Sequence, residues 1–501
     1  MQDRRIPSQS LASPAEDRGR GMTTLSDTGV PAQTSSPRRE WPRRSFDDIG
    51  NAERLVDHYG SELRYLIDAE QWAVYEAGRW VLKGAKSLLW KRVVQTIKAL
   101  PNTEAFEYSA SRNGEDKKSE RDLFMEWVSK SRHRGRLAAM RDVAEGEPDL
   151  FGEMGDFDQH EQLLNVKNGI IDLRTGSLMP HDPELYLMQQ SPARFDPHAE
   201  CPLWLQFLDS VMPDKERQAY LRRVVGYTLT GSTDEQVMFV HHGTGMNGKS
   251  VFIDVVMGLL GDYAQAVPRT TLLAKKEDGI PNDVARMVGK RMLSTTETSA
   301  GKKLDDELVK QLTGQDTMSA RFLHGEYFDF KPVGKIHLAT NYLPKVGAGH
   351  GITRRLHDIG WDVTVPPEAR IPKLAEKILR QESAGVLNWA LQGCREWQQD
   401  GLAMPEAVRA KTAQHIAESD PISMWLEENT EPCERDPYVS GEVTGSLFQN
   451  YKLWCQSGSL REMTVMAFSQ ALEERGFEKV KHPKTRRAVI IGLRVKTNNG
   501  F

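Results

Sequence analysis

Cysteine is scarce in this sequence, with four in 501 residues: Cys201, Cys394, Cys433 and Cys455. They lie too far apart for a C-x-x-C zinc pattern and are too few for a disulfide framework, so they read as reduced core thiols of a cytosolic protein. Long apolar runs are missing too. No stretch approaches the roughly 20 residues needed to cross a bilayer, and the N-terminus has no apolar signal core, which predicts a soluble, intracellular protein with no membrane partner. Nor does one charge dominate: 66 Lys and Arg stand against 70 Asp and Glu, a formal net charge of -4. That balance excludes a globally basic nucleic-acid coat and leaves room for local basic surfaces. Residues 1–45 have almost no aromatic side chains and are rich in Ser, Pro, Arg and Gly. Such a segment cannot bury enough surface to offset the entropy of ordering, and a disordered tail is expected there.

What is present centres on His242-Gly243-Thr244-Gly245-Met246-Asn247-Gly248-Lys249-Ser250. The apolar run Val237–Val240 before it has the length of a buried parallel strand. Phe252, Val255, Val256 and Leu259 follow at helical spacing, and Gly261 stands where a helix ends. Strand, glycine loop and helix together make G-x-x-x-x-G-K-[ST] a nucleotide site. Gly243, Gly245 and Gly248 can adopt backbone angles closed to other residues, so consecutive N–H groups turn inward around a polyphosphate. The positive end of the helix dipole adds to this. Lys249 would reach the β- and γ-phosphates of ATP and Ser250 would hold Mg²⁺.

The length predicts about two to four domains. From about 46 to 195 a small, mixed but mainly helical domain is expected. Leu55, Val56 and Tyr59 share a helix face, Trp72 to Trp80 reads as a hairpin, and Leu89, Val93, Val94 and Ile97 mark a second helix. Leu164–Leu173 gives two apolar runs around an Asn-Gly turn signal. His133, His160 and His181 lack partners at metal spacing and read as solvated or core histidines.

Residues 196–404 read as alternating helices and strands around the phosphate loop, the pattern of an α/β fold with a parallel sheet and ligands at the carboxyl ends of its strands. Met292–Thr296 predicts a strand ending at Glu297, and Leu304, Leu308 and Leu312 a helix. Ile336–Thr340 predicts a strand ending at Asn341. Glu297 could polarise water or bind the metal shell, and Asn341 could orient that water. A surface Glu and a turn Asn are the plain alternatives. Between them, Ser319–Phe330 reads as a hairpin with a polar tip at His324-Gly325-Glu326. Leu374, Ile378 and Leu379, then Val386, Leu387, Trp389 and Ala390, predict the helices of a lid, and Pro405 the start of a connector helix.

Residues 405–501 have their own character. Leu447, Tyr451 and Trp454 share a helix face, and Thr464 caps a helix through Phe468 and Leu472 that stops at Gly476. Lys479, Lys481, Lys484, Arg486 and Arg487 precede the apolar strand Ala488–Val495. Helix, helix and basic hairpin form the pattern of a DNA-binding winged helix, with a merely solvated hairpin as the alternative.

Taken together, Gly243–Ser250, Thr296-Glu297, Lys310–Asp316 through Arg321, Ala339-Thr340-Asn341 and Thr353-Arg354-Arg355 resemble the superfamily 3 helicases, in their phage, plasmid and poxvirus primase-helicase branch. The resemblance covers roughly residues 50–495. It implies an AAA+ type ring motor, usually hexameric, that hydrolyses ATP with Mg²⁺ and moves 3′ to 5′ along single-stranded or forked DNA. It also implies roles: Glu297 as the acidic Walker B position, Asn341 as sensor, and Arg354 or Arg355 as an arginine finger reaching a neighbour's ATP. Arg321 and His324 would contact DNA inside the ring, with Lys481, Lys484, Arg486 and Arg487 as a second DNA contact. The chain departs from many relatives in having polar Ser294, Thr295 and Thr296 before Glu297. Multifunctional relatives also carry a primase domain ahead of the motor, so a separate primase or polymerase is expected as partner. Two rivals stay open, namely an AAA+ ATPase that remodels or loads a replication protein, and a nucleotide-switched DNA-binding regulator.

Overall fold

The computed structural model describes residues 42–112, 117–273, 282–296, 304–321, 327–344, 346, 350–419, 421–434, 441–457 and 462–496. The tail expected over 1–45 lies almost wholly outside them, and so do Glu297 and His324. No helix among the described residues is long and apolar enough to cross a membrane.

The first region is mixed. Helix α1 (Asp48–Tyr59), capped by the Asp47 carboxylate, is followed by β1 (Leu63–Leu66), β2 (Gln71–Glu76) and β3 (Arg79–Val81). Helices α2 (Ala85–Thr103), α3 (Glu120–Ser131) and α4 (Arg134–Ala144) come next, and β4 (Phe151–Gly152) closes a sheet of order β3-β2-β1-β4. The Trp72–Trp80 hairpin forms as its sequence requires, with Glu76 opposite Arg79 and a turn at Ala77-Gly78. Its core holds an ion pair: Arg54, 2% exposed, donates to both carboxylate oxygens of Glu104 at 2.6 Å. Buried charges persist only when paired and hydrogen-bonded in this way. A meander of β5 (Leu163–Val166), β6 (Gly169–Asp172) and β7 (Ser177–Met179) follows, its first turn formed by Lys167-Asn168.

Helices α5 (Pro202–Val211) and α6 (Lys215–Thr228) lead to the central sheet. Its first half comprises β8 (Met238–His242), α7 (Lys249–Leu260), β9 (Ala264–Ala266), α8 (Asn282–Ala285) and β10 (Met292–Thr296). Helix α9 (Asp306–Thr313) and the antiparallel hairpin of β11 (Met318–Arg321) and β12 (Tyr327–Phe330) separate these from β13 (Lys335–Thr340), α10 (His350–Thr353) and β14 (Leu356–Gly360). Leu304, expected on α9, instead bridges to Leu273 ahead of it, because the Asp305 carboxylate accepts from Leu308 N and starts the helix there.

The five strands are all parallel, in order β14-β8-β13-β10-β9. One face, carrying Phe239, Ile359 and Trp361, shares an apolar core with α5, α6, α7 and α11 (Leu374–Asp400). The other, carrying Met238, Val240, Ile336 and Leu338, packs with Val309, Leu312 and Ile352. The separate lid helices expected after Leu374 are a correction: α11 runs unbroken for 27 residues and is built into the core. Its Gly393 meets α6 so closely that a Cβ there would lie 1.9 Å from Arg222 O, and one on Gly226 would lie 2.0 Å from Cys394 N. The apolar pattern fades near Gly385 because that glycine lies against Glu200 O, not because the helix breaks.

Helix α12 (Glu406–Ser419) packs on β14, with Thr412 Oγ1 accepting from Asp358 N at 2.9 Å. Beyond it lie α13 (Pro421–Asn429), β15 (Thr430–Pro432), β16 (Gly441–Val443), α14 (Thr444–Ser457), α15 (Val465–Glu473), β17 (Lys479–Lys481), β18 (Ala488–Ile491) and β19 (Leu493–Val495). Trp425, Leu447, Tyr451, Phe468 and Leu472 form their common core, and Thr464 caps α15 by accepting from Ala467 N.

Candidate nucleotide site

Strand β13 lies between β8 and β10, so the segment after β8 leaves the sheet beside the segment after β13. In open parallel sheets, ligands bind at such edges, beyond the carboxyl ends of the strands. The loop Gly243–Gly248 occupies this edge. Gly245, Met246 and Gly248 have φ of 101°, 55° and 87°, turning the loop back on itself before α7 begins at Lys249.

The loop is braced from one side. Trp361 N donates to His242 O at 2.7 Å and Val365 N to Met246 O at 2.8 Å, tying the segment after β14 to the loop. Asn247, 3% exposed, donates from Nδ2 to Trp361 O at 2.9 Å. A Cβ on Gly243 would lie 2.1 Å from Asn247 Nδ2, so this brace admits only glycine there.

Lys249 is 6% exposed. Its Nζ donates to Gly243 O at 2.8 Å, Asn247 Oδ1 at 2.9 Å and Asn341 Oδ1 at 3.1 Å. Two residues 92 positions apart in sequence are thus joined across the β8–β13 edge. Ser250, Thr244 and Met246 are exposed at the same edge. Thr340 Oγ1 accepts from Tyr342 N and donates to Tyr342 O, forming a tight turn that presents Asn341. A loop turned back on itself by positive-φ residues, a buried ammonium hydrogen-bonded to neutral oxygens, a helix N-terminus and an exposed hydroxyl in its first turn form a donor set that suits a Mg²⁺-polyphosphate. Glu297, expected at the end of β10, lies outside the described residues.

Arg354 and Arg355 lie at the opposite edge, just before β14. One strand of five residues, about 16 Å, separates that edge from the loop, so neither guanidinium can reach the phosphate loop of its own subunit. They differ from each other. Arg355, 8% exposed, donates to Thr313 Oγ1 at 3.0 Å and Gly351 O at 2.6 Å, and burial and the charge of Arg354 hold its pKa below the usual value. Arg354 is exposed and donates to Gln236 Oε1 at 2.7 Å. Arg321 is exposed at the end of β11. Lys481, Lys484, Arg486 and Arg487 are exposed on the β17–β18 hairpin, within the C-terminal group of elements.

Behind the loop lies a buried polar chain that periodicity could not signal, because its residues look like polar breaks in apolar strands. Trp361 Nε1 donates to His241 Nδ1 at 3.3 Å, and His241 Nε2 lies 3.2 Å from His337 Nδ1. His337 Nε2 lies 3.1 Å from Thr228 Oγ1, which donates to Val224 O at 2.6 Å. The indole can only donate, so both imidazoles are neutral and every proton in the chain points the same way. Burial pushes the His241 pKa down to about 3, helped by the charge of Lys249, and burial holds His337 well below its usual value. His357 hydrogen-bonds Tyr220 and is pushed down to about 4 by burial. Asp358 beside it is pushed up to about 7, also by burial.

At the amino-terminal edge, Lys335 and Arg291 are fully enclosed. Lys335 Nζ donates to Thr230 O, Ser232 O and Val333 O. Arg291 donates to Leu229 O at 2.5 Å, Leu163 O at 2.7 Å and His160 O at 3.1 Å, and stacks over Tyr263. Leu229 and Thr230 directly follow α6, where unpaired carbonyls and the negative dipole end favour cations.

Residues 52–213 match the family described as D5 N terminal like. A "Putative helicase" of Acanthamoeba polyphaga mimivirus is 25% identical over 324 residues, 60% of this chain and 33% of that protein. One of Frog virus 3 is 30% identical over 148 residues, 28% of this chain and 15% of that protein. A "Putative primase" of African swine fever virus is 25% identical over 209 residues, 40% of this chain and 22% of that protein. The chain thus spans a third or less of the length of these relatives. The A form apo structure of the NrS-1 C terminal region covers 89% of this chain and 99% of its own, at 11% identity and a TM-score of 0.48. Over the parts they match, these sequence likenesses are to D5-like primase-helicases.

Proposed function

We propose that the protein is an ATP-dependent replicative DNA helicase of a phage or mobile element. It assembles as a ring, in the expected case a homo-hexamer, and moves 3′ to 5′ on single-stranded DNA. The observation that carries this reading is the Lys249–Asn341 hydrogen bond, which joins the phosphate loop to the end of the neighbouring strand. The viral relatives named as helicases and primases support the replication role.

ATP with Mg²⁺ would supply a phosphoanhydride whose hydrolysis drives movement. In this reading the N–H groups of Gly243–Gly248 cradle the phosphates, and Ser250 and Glu297 hold the metal. Lys249 exchanges the oxygen of Asn341 for phosphate oxygens, and Asn341, so released, orients the attacking water. Arg354, exposed and remote from its own loop, is the better placed of the two arginines to act on a neighbouring subunit. Arg321 and His324 contact the DNA backbone from the β11–β12 hairpin, which lies in sequence between the strands bearing Glu297 and Asn341.

The test is strand displacement on forked DNA with and without ATP, using Lys249→Ala as control. ATP-dependent displacement that needs a free 3′ tail is expected. ATP hydrolysis without displacement would favour a remodelling or loading ATPase, and neither activity would overturn the nucleotide reading altogether.

A further inference from the structure

The β17–β18 hairpin and α15 stand side by side in the C-terminal group of elements, and their surfaces have opposite chemistry. Residues 479–487 carry Lys479, Lys481, Lys484, Arg486 and Arg487 with no carboxylate, and all five cations are exposed. The outward face of α15 carries Met466, Ala467, Gln470 and Glu473, followed by Glu474, all exposed and none of them basic. A helix with such a face cannot approach a phosphate-lined groove without repulsion, because base-reading helices must first sit between two rows of phosphates. Lys479 is in part drawn back to this helix, its Nζ lying 3.5 Å from Glu473. The free positive charge is therefore concentrated at the hairpin tip.

That tip is pre-shaped by one side chain. His482 N donates to Arg487 O and Arg486 N donates to His482 O, each at 2.8 Å, closing the turn. The imidazole Nδ1 of His482 accepts from Lys484 N at 3.2 Å and from Thr485 N at 3.1 Å. It thus takes the place that an Asn or Asp oxygen fills in an Asx turn, two and three residues ahead of itself. Arg486 is held at φ 61°, a left-handed conformation that a non-glycine residue keeps only when its surroundings fix it. Lys484, Arg486 and Arg487 are thereby presented from one rigid turn, which reduces the ordering entropy lost on binding.

We propose that this hairpin is a sequence-independent clamp for the nucleic-acid backbone, that α15 takes no part in reading bases, and that His482 is its positioning residue. The proposal rests on the helicase reading for its DNA substrate and adds the mode of contact. The test is fluorescence anisotropy with the full-length chain and two unrelated labelled oligonucleotides, single- and double-stranded, over a series of salt concentrations. Replacing Lys484, Arg486 and Arg487 by Gln should weaken binding about tenfold or more and lower the salt slope by about two to three. Thermal melting checks the fold. If the triple variant melts early, Lys484→Gln alone takes its place, with a slope change of about one.

His482→Ala should weaken binding several-fold with the salt slope unchanged, because positioning is lost and no charge is removed, and His482→Asn should restore it. Wild-type affinity for His482→Ala, or a lowered slope, overturns the positioning role. Weaker binding by Gln470→Ala/Glu474→Ala, or about tenfold discrimination between the two sequences, overturns the clamp. Wild-type binding by the triple variant, with DNA-stimulated ATP hydrolysis intact, defeats the clamp and leaves the helicase reading standing. Clamp behaviour as expected without any ATP-driven strand displacement does the reverse.

Discussion

Acidification from pH 7 to pH 5 should destabilise this protein through its buried histidines. In the folded chain His241, with a pKa of about 3, His357, at about 4, and His337, held well below its usual value, are neutral throughout that range. Unfolded, each has a pKa near 6.5 and takes up a proton as the pH falls. A depressed folded pKa means stability that is present above pH 6.5 and lost as the pH drops toward the folded value. His241 and His357 then each lose about 2 kcal/mol by pH 5, about 4 kcal/mol together, and His337 adds a loss of the same sign. Asp358 works the other way. Its folded pKa of about 7 lies above its ordinary 3.8, so its contribution is present at low pH and lost as pH rises through 7. Acidification therefore recovers about 2 kcal/mol there.

The net loss from the groups at about 3, 4 and 7 is about 2 kcal/mol, to which His337 adds, a sizeable part of the roughly 5–15 kcal/mol typical of folded domains. His242 and His415, also held low by burial, act in the same direction as the three histidines. Urea unfolding followed by far-UV circular dichroism at pH 7 and pH 5 measures the sum. His337→Gln isolates one member, since Gln can accept from His241 and donate to Thr228 without titrating. Its stability should fall less steeply with acid, by about 1.4 kcal/mol per pH unit below 6.5. Equal stability at the two pH values, or an unaltered slope in the variant, would refute the assignment of neutral buried histidines.

Lys249→Ala should abolish ATP hydrolysis with the fold retained, and normal turnover by that variant, read with the melting curve, would sink the phosphate-loop assignment. Arg354→Ala should lower ATP hydrolysis by about 10³-fold or more, and mixing it with Lys249→Ala subunits should restore part of the activity through composite sites. Failure of the mixture to recover would exclude action in trans. Gly393→Ala should cost about 3 kcal/mol by overpacking the α6–α11 contact, seen as an earlier urea midpoint, whereas Gly445→Ala, whose Cβ would meet nothing within 4 Å, should be silent in the same assay. Asn247→Ala, which cuts the loop from Trp361, should weaken nucleotide binding about tenfold while lowering the rate at saturation less, and a normal affinity by titration calorimetry would show the brace to be dispensable.

The elements legible in the sequence were those whose chemistry is local. Glycine spacing between an apolar strand and a periodic helix located the loop at Gly243–Ser250, and the compact apolar runs at Met292 and Ile336 located β10 and β13. Strand β14 was not legible because its interior is His357-Asp358, polar residues held in place by distant helices: Tyr220 hydrogen-bonds the His357 ring and Thr412 accepts from the Asp358 backbone N–H. The continuity of α11 was hidden by the polar run Arg380–Ser383 between its two apolar sets, where Glu382 accepts from Leu203 N and Trp204 N at the start of α5. At the site, Lys249 and Asn341 could each be picked out by residue type and position, but not their contact, which depends on β13 being inserted beside β8. The difference between Arg354 and Arg355 was likewise invisible, since only packing against Thr313 and Gly351 buries one and leaves the other outside.

Lys335 and Arg291 give the sheet a fixed fulcrum. Strands β13 and β10 are pinned at their starts to carbonyls that end α6 and edge the β5 hairpin, while the far end of β13 meets the phosphate loop through Asn341 and Lys249. Because β13 is paired along its length with β8 and β10, it tilts about that fixed end only together with the sheet. For β13, six residues or about 20 Å long, a tilt of about 5° about the pinned end moves the other end by roughly 2 Å. The β11–β12 hairpin is spliced into the chain between these two strands, so in the helicase reading a tilt of the sheet would be passed to it through both of its roots. In the helicase reading, loosening the fulcrum, for example by Lys335→Met, would therefore spare nucleotide binding and let the movement dissipate at the back of the sheet.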